Sequence, residues 1–205
     1  MIARYIARQF SRPSGLLGRV IGRGMARHNE REARWTVDLL GIEPEARVLE
    51  IGFGPGVAIQ YAAERTTRGH VSGIDCSEAM LQMARRRNAS RLADGLVDLT
   101  QADVQSLPYP DDSFDRAFAI HCIYFWRDPV ACLREIRRVL RPDGAVAITI
   151  RPVNQWQGRK PPADVFHLYR GEEVAGLLSE SSFRRPRVEP YPQPEKPGQC
   201  ILAVK

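Results

Sequence analysis

Long apolar runs, paired cysteines and lysine are what this chain of 205 residues lacks. No segment approaches the roughly 18 consecutive apolar residues that a membrane-spanning helix needs, because Arg, Asp or Gly interrupts every candidate. Arginines run through the N-terminal segment and leave it no uninterrupted apolar core, so a cleaved secretory signal is not expected. Cys76, Cys122, Cys132 and Cys200 form neither a C-x-x-C pair nor a metal-ligand cluster. Their strand and helix contexts predict buried free thiols, a reducing compartment and hence a cytoplasmic protein, with no metal required. Lysine occurs only at 160, 196 and 205, so arginine carries almost all the positive charge. That charge is uneven. Residues 1–34 hold eight arginines and two glutamates, 8 − 2 = +6, which leaves 22 − 22 = 0 for the rest of a chain with net charge +6.

What is present centres on Val48-Leu49-Glu50-Ile51, which reads as a buried strand running into Gly52, Gly54 and Gly56. Glycines between a strand and a helix let backbone approach a ligand closely, since no Cβ intervenes. Asp75 ends a second strand-like run, His70 to Ile74, where a carboxylate can accept from both hydroxyls of a ribose. A dinucleotide fingerprint, Gly-x-Gly-x-x-Gly, is not matched: Val57 stands in place of its third glycine, and Pro55 removes a backbone donor. Glu50 adds negative charge beside the turn, which suits an α-amino group better than a pyrophosphate. The pattern therefore fits the cationic amino-acid end of S-adenosylmethionine.

From about Val37 onward the chain resembles the class I S-adenosylmethionine-dependent methyltransferases. The resemblance rests on VLEIGFGPG at 48–56, GIDCSEAML at 73–81, QADVQSLPY at 101–109, FDRAFAIHCIYFW at 114–126 and LREIRRVLRPDGAVAITI at 133–150. It is nearest to the small-molecule branch that includes the ubiquinone/menaquinone C-methyltransferases. By that resemblance Glu50, Gly52, Gly54 and Gly56 hold the methionine portion, Asp75 the ribose and Asp103 the adenine amino group. Cys76, Val104 and His121 would add further cofactor contacts.

Strand and helix signals alternate in register with this assignment. Strands are expected at 47–51, 70–74, 96–101, 114–120 and 145–150, with helices at 57–65, 78–87 and 129–140 between them. Ser77 and Asp128-Pro129 supply helix starts, and Arg141-Pro142-Asp143-Gly144 turns into the fifth strand. A helix at 171–181 and strands at 184–190 and 199–204 complete the chain. The alternation predicts an α/β, Rossmann-like, doubly wound sheet of seven strands. The family resemblance implies that the last strand runs antiparallel beside the fifth. Residues 1–36 form a basic helical arm and 37–205 the catalytic domain. Arg19, Arg23, Arg27 and Arg31 recur every four residues along one side of a helix, with Leu16, Leu17, Val20, Ile21 and Met25 along another. That arm reads either as a lid over the site or as a dock for an anionic membrane surface or acidic partner. Nucleic acid is disfavoured, since few aromatics interleave the arginines.

Methyl transfer from a sulfonium is an in-line displacement, and a general base is needed only when the acceptor carries a proton. The expected carboxyl end of the fourth strand reads His121-Cys122-Ile123-Tyr124-Phe125-Trp126. His121 is the candidate base, with a simple lining role as the alternative. Tyr124 and Trp126 are candidate acceptor contacts, with ordinary core as the alternative, joined by Asn29, Trp35, Trp156 and Tyr169 from the arm and a lid-like stretch at 151–169. Adenine- and glutamine-directed amino-methyltransferases carry Asp/Asn-Pro-Pro-Tyr/Phe in this slot, and the motif is missing here. The sequence thus predicts methyl transfer to oxygen, nitrogen or carbon of a small molecule. A phospholipid N-methyltransferase and a catalytically silent cofactor-binding protein are the rival readings.

Overall fold

A computed structural model describes residues 2–155, 161–193 and 198–205. Its centre is a seven-stranded sheet in the order β3-β2-β1-β4-β5-β7-β6. The strands are β1 (Arg47–Ile51), β2 (His70–Asp75), β3 (Val97–Gln101), β4 (Phe114–Ile120), β5 (Leu140–Ile150), β6 (Arg184–Pro190) and β7 (Gln199–Val204). The helices are α1 (Ile2–Ser11), α2 (Gly15–His28), α3 (Glu30–Leu39), α4 (Val57–Arg65), α5 (Glu78–Arg87), α6 (Ala89–Ala93), α7 (Pro129–Val139) and α8 (Gly171–Glu180). Strands β1 to β5 pair in parallel, and β7 inserts antiparallel between β5 and β6, as the resemblance implies.

Alternating side chains fill two layers. Leu49, Ile51, Ala117, Ala119 and Ile148 face Leu133 and Ile136 of α7 and Val174 and Leu178 of α8. Val48, Val71, Phe118 and Ala147 face the opposite layer, Val37 of α3, Ile59 and Ala62 of α4, and Met80 and Ala84 of α5. Helix starts follow their sequence signals: Ser77 Oγ accepts from Met80 N–H, and Asp128 accepts from Ala131 N–H ahead of Pro129. Gly41 adopts φ 55° just past α3, the left-handed conformation that closes a helix.

Two elements differ from expectation: the short α6 is not among the expected helices, and β5 begins early. Backbone is extended from Leu140 rather than from 145, and the Arg141–Gly144 turn survives as a bulge inside β5. Leu140 pairs with Phe114, and Ala145 with Arg116, so the register slips across it. Asp143 takes φ 62° there, and Arg141 Nη1 reaches Asp115 at 2.7 Å, fixing the bulge to the neighbouring strand.

Gly56 holds two helices at close range. Its φ is 77°, and an added Cβ would sit 2.7 Å from the Cβ of Ala84 on α5 and 2.8 Å from Asn88 Nδ2. Asn88 Nδ2 also donates to the Gly56 carbonyl at 3.0 Å. Gly56→Ala combines left-handed strain with overpacking and should lower unfolding free energy by about 2–4 kcal/mol. Urea denaturation measures this; a loss below 0.5 kcal/mol, on the order of an exposed substitution, would contradict the packing role.

Candidate functional site

Topology brings the carboxyl ends of β1, β2 and β4 together beneath the N-terminal helices. Gly52, Gly54 and Gly56 all adopt positive φ (71°, 51° and 77°), so the chain leaves β1 by a path that β-substituted residues resist. Gly52 N–H donates to Ile74 O at 2.7 Å and fastens the loop to β2. Asp75 completes the clasp: Oδ2 accepts from Gly54 N–H and Oδ1 from Ser77 N–H, both at 2.8 Å. Gly52 also lies against Cys122, whose Cβ would be 2.9 Å from an added methyl. Space above Gly54, by contrast, is open, as a cradle for a ligand requires.

A cavity of about 550 Å³ occupies this space. Glu50, Gly52, Gly54, Asp75, Cys76, Asp103, Val104, His121 and Trp126 line it, together with Asn29 from the α2–α3 junction. The α1–α2 junction contributes Phe10, Ser11, Arg12 and Pro13 to the same wall. Not every residue singled out in the sequence is there. Gly56 faces α5, and its place in the glycine run is explained by helix packing. Trp35 stands edge-on to Tyr191 at 5.0 Å. Tyr124 is buried behind the wall, and Tyr169 borders a separate shallow pocket against α8. Trp156 lies outside the described residues.

The electrostatics single out Glu50. The residue is 3% exposed, and its Oε2 has no hydrogen-bond partner. Burial drives its pKa well above the ordinary value, the nearby charge of Asp75 adds to the rise, and the backbone at Ile59 offsets it in part. Burial also raises Asp75, against the lowering effect of the Ser77 and Gly54 amides. Two carboxylates in so little water call for a cation. An α-ammonium entering the cavity would satisfy the orphaned oxygen, so these residues fit the amino-acid end of S-adenosylmethionine. Asp103 is exposed at the rim, with Oδ1 bonded to Gln105 N–H at 2.9 Å. Burial pushes the Cys76 thiol up to about 11, which keeps it protonated and unsuited to nucleophilic work.

His121 sits at φ 55°, an uncommon conformation for a residue with a side chain. Its Nε2 lies 2.9 Å from Glu32 Oε2 and its Nδ1 3.3 Å from the Tyr124 hydroxyl. Tyr124 Oη in turn accepts from Arg151 N–H at 2.5 Å. Burial raises the Glu32 pKa, but the hydrogen bond and charge of His121, aided by Arg151 and His28, leave it below the ordinary value. Glu32 escaped the sequence reading, where it counted only as arm charge. The available signal was positional, because Glu32, Ala33, Thr36 and Val37 share the buried face of α3.

The comparisons agree with this geometry. Residues 49–148 match the family described as "Methyltransferase domain". The chain is 35% identical over 133 residues to YdaC, an uncharacterized methyltransferase of Bacillus subtilis (strain 168), across 65% of this chain and 71% of that one. It is 29% identical over 167 residues to the ubiquinone/menaquinone biosynthesis C-methyltransferase UbiE of Vibrio parahaemolyticus, across 79% of this chain. It spans 64% of UbiE, less than two thirds of that relative's length. A crystal structure of a SAM dependent methyltransferase from Aquifex aeolicus shares the fold, with TM-score 0.72 and 24% identity over 84% of this chain and 88% of that one.

Removing the Glu50 charge should separate stability from binding. Because the folded pKa is raised, Glu50 contributes stability below its ordinary value near 4.5 and loses it as pH rises through the folded value. Glu50→Gln should therefore be more stable than the parent at neutral pH, by about 1–3 kcal/mol, and unfold at a higher temperature, with the gap closing toward pH 4. Thermal unfolding without ligand checks this, and a less stable variant at pH 7 would contradict it.

Proposed function

The chain belongs to the class I S-adenosylmethionine-dependent methyltransferases, and from that membership we propose a small-molecule acceptor and assign roles to the residues of the cavity. The observation that carries the assignment is the orphaned Glu50 oxygen in a cavity floored by the open Gly54. Glu50 and the glycine loop would hold the methionine end, Asp75 the ribose and Asp103 the adenine. When bound, S-adenosylmethionine supplies an electrophilic methyl group on a sulfonium. The protein's part is to hold the acceptor in line, exclude water and present aromatic walls, Phe125 and Trp126, near the positive charge.

His121 is best read as a positioning residue. Both ring nitrogens already face partners, Glu32 and Tyr124, so the imidazole clamps α3 to the end of β4 and shapes the wall. General-base work would require it to leave one of them. Among the described residues no helix is long and apolar enough to cross a membrane, and the four cysteines are free. A cytoplasmic enzyme is the reading that these features support.

Release of S-adenosylhomocysteine with a panel of phenols, quinols and amines tests the function, and turnover on at least one is expected. In the same assay His121→Asn should keep the shape of the pH–rate profile and lower kcat about tenfold or less. A fall of about 10²–10⁴ with loss of the acid limb would make His121 the base.

A further inference from the structure

Among the described residues, the six exposed large hydrophobic side chains all lie on α1 and α2: Tyr5 (58%), Ile6, Phe10, Leu16 (80%), Leu17 and Val20 (61%). The N-terminal segment that contains these two helices and their linker carries a charge equal to the net charge of the whole chain. Residues 1–29 contain six arginines and no acid, 6 − 0 = +6, which equals the net charge of all 205 residues. The two separate sides expected from the sequence are not kept on α2: Leu16, Val20, Arg23 and Arg27 recur at intervals of three and four, so aliphatic and cationic groups share one side. Arg23 and Arg27 are exposed there, while Gly18, Gly22 and Ala26 form the buried side.

The inward side is fixed to the domain. Gly22 lies against Met80 and Met83 of α5, where an added Cβ would be 2.8 Å from the Met80 methyl. Ser77 Oγ donates to Pro13 O at 2.5 Å, and Gln9 Oε1 accepts from Ser14 N–H at 2.9 Å. The arm is thus a docked element with an apolar, cationic outer face.

We infer that the outer face of α1 and α2 docks the protein on an anionic lipid bilayer, with the cavity mouth at the membrane surface. Aliphatic side chains among arginines suit the boundary between acyl chains and anionic headgroups. A nucleic acid would leave Leu16, Leu17 and Val20 without apolar partners, and a second copy would set the exposed Arg23 and Arg27 against their own like charges. The α1–α2 junction also lines the cavity through Phe10, Arg12 and Pro13, so docking would present that cavity to molecules dissolved in the bilayer. This consequence rests on the methyltransferase reading; the docking does not.

Flotation of the full chain with phosphatidylglycerol/phosphatidylcholine vesicles, compared with phosphatidylcholine alone, is the test. Binding is expected only to the anionic vesicles, with a marked loss at 0.5 M salt, on the order of a 4 Å screening length. Arg23→Glu with Arg27→Glu, and separately Leu16→Ser with Val20→Ser, should each weaken partitioning about tenfold. Both pairs are exposed, and unchanged S-adenosylmethionine affinity by calorimetry would show that the variants are folded. No flotation, equal flotation on neutral vesicles, or a dimer dissolved by Leu16→Ser with Val20→Ser would overturn the inference. Flotation without S-adenosylmethionine binding would leave the docking intact and remove the cofactor reading.

Discussion

Two carboxylates with almost no access to water, Glu50 and Asp75, stand at the carboxyl ends of adjacent strands. Glu50 lies one residue before the end of β1 and Asp75 at the end of β2, and the surrounding backbone is organised around them. Asp75 is stabilised by two amide donors, which is how a buried anion is ordinarily tolerated. Glu50 has one oxygen with no partner. The positive φ of Gly52 and Gly54 follows from the same requirement, since together they turn the chain sharply enough for Gly54 N–H to reach Asp75 while the space above Gly54 stays clear. Local stability is given up for a charged ligand that completes the site.

The N-terminal helices are part of that site. Thr36 Oγ1 meets Thr149 Oγ1 at 2.6 Å, joining α3 to β5, and Glu32 holds His121 at the end of β4. Ser77, the cap of α5, also bonds to Pro13, so the residue that starts the helix after Asp75 secures the arm. A shift of the arm would therefore be felt in the cavity wall through two separate connections.

The sheet and the glycine turn were legible because they depend on local chemistry. Alternating burial, the caps at Ser77 and Asp128 and the order of glycines each have a short-range physical cause. Less legible was anything set by contact across long sequence separation. Glu32 and His121 stand 89 residues apart, and nothing local to either marks the pair. Gly56 was read as a ligand contact because its role depends on Ala84 and Asn88, which only the packed fold brings near. Trp35 and Tyr124 were plausible aromatics whose direction is decided by Tyr191 and Arg151.

Proton linkage tests the central claim most directly. Titrating S-adenosylmethionine into the protein by calorimetry, in buffers of different ionisation enthalpy, reads the protons exchanged on binding. An ammonium placed beside Glu50 lowers its raised pKa, so binding should release protons at mildly acidic pH, and Glu50→Gln should abolish the release. Binding with the same enthalpy in every buffer, or a release that persists in Glu50→Gln, would contradict the assignment of Glu50 to the cationic end of the cofactor.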